Sequence, residues 1–140
     1  MIYSTETLCS LARTYVGAPY KRDALIESAP HFFNCMSFIA WLFRHHGIHL
    51  PSCNTLEPWL ELGTGIGPED LQSYDLVFTD GYVNYPVPGI AGGVGHLAMV
   101  TRPGNIIHAT SGVGVIEQTF EAFFRRREFR AARRIILLNS

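Results

Sequence analysis

Asn34-Cys35-Met36-Ser37-Phe38-Ile39-Ala40-Trp41-Leu42-Phe43-Arg44-His45-His46-Gly47 carries the clearest local signal in the chain. Phe38, Ile39, Leu42 and Phe43 recur at the three-and-four spacing of one helix face, which predicts a helix from about Cys35 to His46. Asn34 stands where an N-cap belongs and Gly47 where a C-cap belongs, and Pro51 prevents continuation. A cysteine therefore opens this helix, where unpaired backbone N–H groups and the macrodipole favour a thiolate, which is the nucleophilic form. Buried cysteine is also a common small hydrophobe, so position alone leaves Cys35 two readings.

Upstream, Thr5 to Val16 reads as an amphipathic helix with Leu8, Leu11, Ala12 and Tyr15 on one stripe, Thr5 to cap it and Gly17 to stop it. Gly17-Ala18-Pro19-Tyr20 then forces a turn, and Lys21 to Phe33 has no clean period and reads as a loop. Downstream, a shorter helix is expected from Leu56 to Leu62. From Asp75 the pattern changes to short β-type runs bounded by Gly, Pro and Asn: Leu76–Phe78, Leu97–Thr101, Ile106–Thr110, Val113–Glu117 and Ala131–Leu138. A short helix, Phe120–Arg126, precedes the last. Helices first and strands afterwards predict an α+β fold, with N-terminal helices packed on a central antiparallel β-sheet. The segment Asp80–Gly95, with five Gly, two Pro, Tyr82 and Tyr85, is expected to be a long binding loop.

Composition narrows the possible functions. The 140 residues are 47% hydrophobic and 12% aromatic, which excludes a disordered chain and fits one domain over residues 1–140. A formal charge of −1 argues against a globally basic nucleic-acid binder. No apolar run approaches the ~18 residues of a membrane helix. Six of the eleven basic residues are Arg125, Arg126, Arg127, Arg130, Arg133 and Arg134. They read either as a solvated helix end followed by a strand with an exposed Arg face, or as a basic lip that attracts an anionic substrate. The three cysteines, Cys9, Cys35 and Cys53, are odd in number and form no CxxC pair, against a disulfide framework or a structural zinc site. With no basic-then-apolar leader pattern in Met1–Ser10, the cytoplasm is the expected location, and export or delivery to the wall by a phage or secretion system is the alternative.

A nucleophilic cysteine needs a base, and the base an orienting group. Of six histidines, His45, His46 and His49 fall at a helix end, where cations suit the dipole. His96 and His108 lie on two consecutive strands joined by Arg102-Pro103-Gly104. If Gly104 is left-handed, Thr101 falls opposite Asn105, and His96 and His108 become same-face diagonal neighbours ~7–8 Å apart. A two-residue turn would instead put the rings on opposite faces.

Six segments in order, Gly17-Ala18-Pro19-Tyr20, Phe33-Asn34-Cys35-Met36-Ser37-Phe38, His46-Gly47-Ile48-His49-Leu50-Pro51, Asp75-Leu76-Val77-Phe78, Gly95-His96-Leu97-Ala98-Met99-Val100 and Ile106-Ile107-His108-Ala109, resemble the NlpC/P60 cysteine peptidases. The resemblance covers nearly the whole chain. It implies a papain-like α+β domain that needs no metal or organic cofactor and acts on peptidoglycan stem peptides, often at the bond between D-glutamate and a diamino acid. It implies Cys35 as nucleophile, His96 as general base, His108 as the residue orienting His96, and Tyr20 beside the oxyanion site. The family usually has Asp before the nucleophile and Ser-Gly after it; Asn34, Met36 and Ser37 depart from that. Asn34 and Ser37 join Tyr20 as expected contacts at the oxyanion and substrate positions, with Tyr82 and Tyr85 either closing over substrate or packing the loop. Rival readings are an amidase or acyltransferase on non-wall amides, a catalytically weak peptidoglycan-binding domain, and a nucleic-acid module built on the Arg cluster.

Overall fold

The computed structural model describes residues 2–3, 5–51 and 55–138, opening with a short strand β1 (Ile2–Tyr3) and helix α1 (Thr5–Thr14). Helix α2 (Cys35–Arg44) begins at a reciprocal cap: Ser37 N donates to Asn34 Oδ1 at 2.8 Å, and Asn34 N donates to Ser37 Oγ at 2.9 Å. Beyond its end Gly47 takes φ +75°, a left-handed position that turns the chain away. The helix expected over Leu56–Leu62 is a 3₁₀ turn, Glu57–Glu61, instead. Its buried Trp59 is anchored by donating its indole N–H to Pro51 O at 2.9 Å. The chain must then pass Arg134 so closely that a Cβ on Gly63 would meet its carbonyl oxygen at 2.0 Å.

The strands follow as β2 (Thr64–Gly65), β3 (Leu76–Thr79), β4 (Tyr85–Val87), β5 (Ile90–Val94), β6 (His96–Arg102), β7 (Asn105–Thr110) and β8 (Gly114–Thr119). Helix α3 (Phe120–Arg126), β9 (Phe129–Arg134) and β10 (Leu137–Leu138) complete the order. Six strands form one sheet in the order β2-β9-β3-β6-β7-β8, every neighbouring pair antiparallel. The run expected from Ala131 to Leu138 is divided, because β10 leaves this sheet to pair in parallel with β1. The segment Asp80–Gly95 holds a hairpin, β4–β5, that its Gly and Pro content concealed. Arg130 pins that hairpin to β9 by donating from Nη1 to Ala91 O and Gly93 O at 3.1 and 2.8 Å.

Both faces of the sheet are covered, so β6 is buried from His96 to Thr101 and reads as a continuous apolar run rather than an alternating one. Leu97, Met99, Ile107 and Phe78 pack with Leu8, Ala12, Phe38 and Leu42 of α1 and α2. Val77, Ala98, Val100, Ile106 and Ala132 pack on the other face with Phe123 of α3. The fold is thus the expected α+β arrangement, with α3 added behind the sheet. Among the described residues no helix is long and apolar enough to cross a membrane.

One buried ion pair ties β9 to the segment entering β3. Arg134 donates from Nε and Nη2 to the Asp75 carboxylate at 2.9 and 2.8 Å, and Asp75 Oδ2 also accepts from Gln72 N at 2.8 Å. Asp75 is 1% exposed, so removing its partner leaves a buried charge uncompensated. Arg134→Met is expected to cost ~3–5 kcal/mol in urea unfolding. An unchanged midpoint would contradict this role.

Candidate active site

The site is assembled from the head of α2, the turn before it and two strands of the sheet. Phe33 N donates to Pro19 O at 3.0 Å and Lys21 N to Phe33 O at 2.9 Å, which sets Tyr20 beside the chain entering α2. The turn is docked on β8 through Gly17 N to Val115 O (2.9 Å) and Val115 N to Ala18 O (3.0 Å). Gly114 permits this approach, because a Cβ there would lie 2.3 Å from Ala18 O. Asn34 uses the rest of its amide on the Lys21–Phe33 loop, the insert between Tyr20 and α2, donating from Nδ2 to Arg22 O and Ala24 O at 3.1 and 3.0 Å. An aspartate would cap the helix equally well but would turn a second oxygen toward those two carbonyls. The amide at position 34 is therefore coupled to the chain between Tyr20 and Phe33.

Across the cleft, Met99 pairs with Ile107 and Val100 with Ile106, while Arg102 pairs with Asn105, so the strand bulges by one residue at Thr101. Gly104 is left-handed at φ +90°. Thr101 does not pair with Asn105 as expected: the turn is the two-residue Pro103-Gly104, and the bulge at Thr101 supplies the odd residue that restores the expected register in the body of the hairpin. It brings His96 and His108 to one face, where His96 Nε2 and His108 Nδ1 lie 2.7 Å apart. His108 Nε2 in turn lies 2.8 Å from Gln118 Oε1 on β8. Phe123 packs edge-on over His108 with ring centroids 4.9 Å apart.

This chain of contacts orders the protons. The amide oxygen of Gln118 only accepts, so His108 donates from Nε2 and, when neutral, keeps a lone pair on Nδ1. His96 then donates from Nε2, which leaves its Nδ1 unprotonated. Both rings are held neutral: burial lowers His108 to about 4, and burial with the charges of Arg127 and His108 holds His96 well below the usual imidazole range.

Cys35 lines the same cleft as His96, with the backbone N–H of the adjoining Leu97 directed at its sulfur, and it is half-buried. Burial pushes its thiol up, while the N–H groups of Leu97 and Met36 and the charge of Arg127 act in the other direction without cancelling it. The helix terminus alone therefore does not give a resting thiolate, contrary to what position suggested; thiol and imidazole are both neutral at rest. Cys9 contrasts with it: fully within the core, it donates from Sγ to Thr101 O at 2.8 Å and is pushed up to about 11. Cys53 lies outside the described residues.

Tyr20, Asn34, Cys35, Ser37, Tyr82, Tyr85 and His96 all line one cleft of ≈ 700 Å³, and His108 stands behind His96. Ser37 is buried and engaged in the cap, Tyr85 belongs to β4, and Tyr82 is 98% exposed at the tip of the loop. Burial and the neighbouring Cys35 raise Tyr20, which keeps its phenol protonated as a donor. Two residues of the site were not singled out from sequence. Gln118 is opposite Ile106, the same diagonal step from His108 that His108 makes from His96, and extending the register across β8 would have found it. Arg127 lines the cleft while its neighbours serve structure: Arg133 donates to Leu62 O and Gly63 O, Arg134 to Asp75, and Arg125 to Glu121.

An α+β domain thus carries, in one cleft, a cysteine at a helix head and a histidine on the sheet that is paired with a second histidine. The NlpC/P60 family profile matches residues 17–134, and the chain belongs to that family. A Bacillus cereus NlpC/P60 family protein superposes with a TM-score of 0.78 at 24% identity, over 98% of this chain and 42% of its own. The NlpC/p60 domain of peptidoglycan hydrolase SagA gives 0.71 at 22% identity, over 94% of this chain and 99% of that one. The peptidoglycan hydrolase RipB from Mycobacterium tuberculosis gives 0.69 at 17% identity, over 95% of this chain and 65% of that one. No curated protein sequence matches.

The depressed histidines fix a pH dependence of stability. An unfolded chain takes up imidazole protons below about pH 6.5, while the folded state refuses them until pH falls to about 4 at His108. Stability is therefore expected to be full above pH 6.5 and to fall between 6.5 and 4. Urea midpoints across that window should slope less in His108→Asn than in the wild type. An equal slope would contradict the assignment.

Proposed function

We propose that this protein is a cysteine peptidase that hydrolyses peptidoglycan stem peptides at the D-glutamyl–diamino acid bond. The observation that carries the reading is the relay from Gln118 through His108 to His96, a ring that lines the same cleft as the helix-head Cys35. Family membership and the naming of two structural neighbours as peptidoglycan hydrolases support the substrate class.

In this mechanism Cys35 Sγ gives its proton to His96 Nδ1 as sulfur attacks the scissile carbonyl. Charge on His96 is stabilised by His108, which accepts from Nε2 and is itself held by Gln118. The oxyanion takes the Cys35 backbone N–H and the Tyr20 hydroxyl; one such donor is worth ~3–4 kcal/mol in the transition state. His96 then protonates the leaving amine, and water attacks the thioacyl carbon with His96 taking its proton. Asn34 supplies no charge at the head of α2, and its amide is spent on the insert, so that position offers no ionic hold on a free substrate amine.

Muropeptides of defined stem length, incubated with the protein and read by mass spectrometry, are expected to be cut after D-glutamate. Cys35→Ala should lower that rate by at least ~10³-fold. With His96 held below its ordinary range, the acid limb of kcat/KM should fall below pH 6.5. Cleavage that persists in Cys35→Ala would overturn the reading.

A further inference from the structure

Arg127 follows the last turn of α3 and is half-buried in the wall of the cleft. A guanidinium has five N–H donors in a planar fork, and this one spends a single bond, from Nη2 to Thr110 Oγ1 at 2.9 Å. Among the described residues no carboxylate lies within ion-pairing distance of it. Asp80 is the acid whose charge most affects it, and that carboxylate accepts from Glu128 N at 2.7 Å instead. Asp23 and Glu27, the acids that line the cleft, belong to the insert and do not pair with Arg127.

An unpaired half-buried cation carries a desolvation cost that a bound anion would offset. Its surroundings on the cleft wall offer donors and no carboxylate within ion-pairing distance: Thr110, which receives its bond from Arg127 and keeps its own O–H, with Ser111 and Tyr20 also lining the cleft. The charge of Arg127 acts on Cys35, Tyr20 and His96 together, so it stands close to the reacting atoms.

We propose that Arg127 and Thr110 form a carboxylate subsite that holds the free carboxylate of the residue whose carbonyl Cys35 attacks. This rests on the peptidase reading for its substrate: a γ-linked D-glutamyl residue carries its α-carboxylate near the scissile carbonyl. The planar fork matches a carboxylate in two parallel hydrogen bonds and discriminates against the α-amide, which would turn an N–H₂ toward the guanidinium.

Two measurements on the intact protein separate the subsite from the reaction. The first compares alkylation of Cys35 by iodoacetate and by iodoacetamide, read by mass spectrometry at that residue. In Arg127→Gln both rates are expected to fall, because the charge of Arg127 also acts on the sulfur, but iodoacetate should fall roughly tenfold to a hundredfold further than iodoacetamide, and Arg127→Lys should recover part of that difference. Equal loss of both rates would overturn the subsite and leave Arg127 acting on the sulfur alone. The second uses matched stem peptides with a D-glutamate α-carboxylate or α-amide. The wild type should favour the acid through KM, and Arg127→Gln should lose that preference. Peptides cut with no preference for the acid would overturn the subsite. If neither peptide is cut, the peptidase reading fails, and the alkylation ratio still decides the subsite.

Discussion

The register between β6 and β7 is the constraint on which the site depends. A side-chain period of two means that a slip by one residue would send His96 and His108 to opposite faces. The bulge at Thr101 and the left-handed Gly104 absorb the odd residue at the turn, so the body of the hairpin keeps both rings together. The same register, carried one strand further, places Gln118 against His108. Three polar side chains, each hydrogen-bonded to the next, thus cross three strands on a face that also carries Val77, Ala98, Val100, Ile106 and Ala132.

Burial determines how these groups behave. A histidine pair in water would titrate near neutrality; under Phe123 and inside the sheet it stays neutral well into acid. The same burial keeps Cys35 a thiol at rest despite the helix terminus and Arg127. In the proposed reaction the proton would therefore pass from Cys35 to His96 during attack rather than rest on the imidazole beforehand. Arg127 adds the one half-buried positive charge on the cleft wall without a carboxylate within ion-pairing distance among the described residues, and in the proposed subsite the charge that acts on the thiol would also hold the substrate carboxylate.

Much of this was legible in the chain itself. The Asn34 cap, the helix it opens, the α3 span and the His96–His108 face follow from local spacing and turn chemistry, and they fall where the residues indicated. What was not legible depends on distant partners. The β4–β5 hairpin is held partly by Arg130 reaching from β9, and the Leu56–Leu62 helix shortens to a 3₁₀ turn where Trp59 is anchored to Pro51. The Arg cluster reads as one surface feature in sequence, yet its members divide among carbonyls, Asp75 and the cleft. Gln118 lay one diagonal step beyond the pair already found.

The central claim is that Gln118 and His108 fix His96 as the tautomer protonated on Nε2, leaving Nδ1 to take the Cys35 proton. Imidazole ¹⁵N chemical shifts report this directly. Near pH 7.5 the account predicts a protonated, pyrrole-type Nε2 and an unprotonated, pyridine-type Nδ1 at His96, with the assignment lost in Gln118→Leu. A protonated Nδ1 at His96 in the wild type would contradict it.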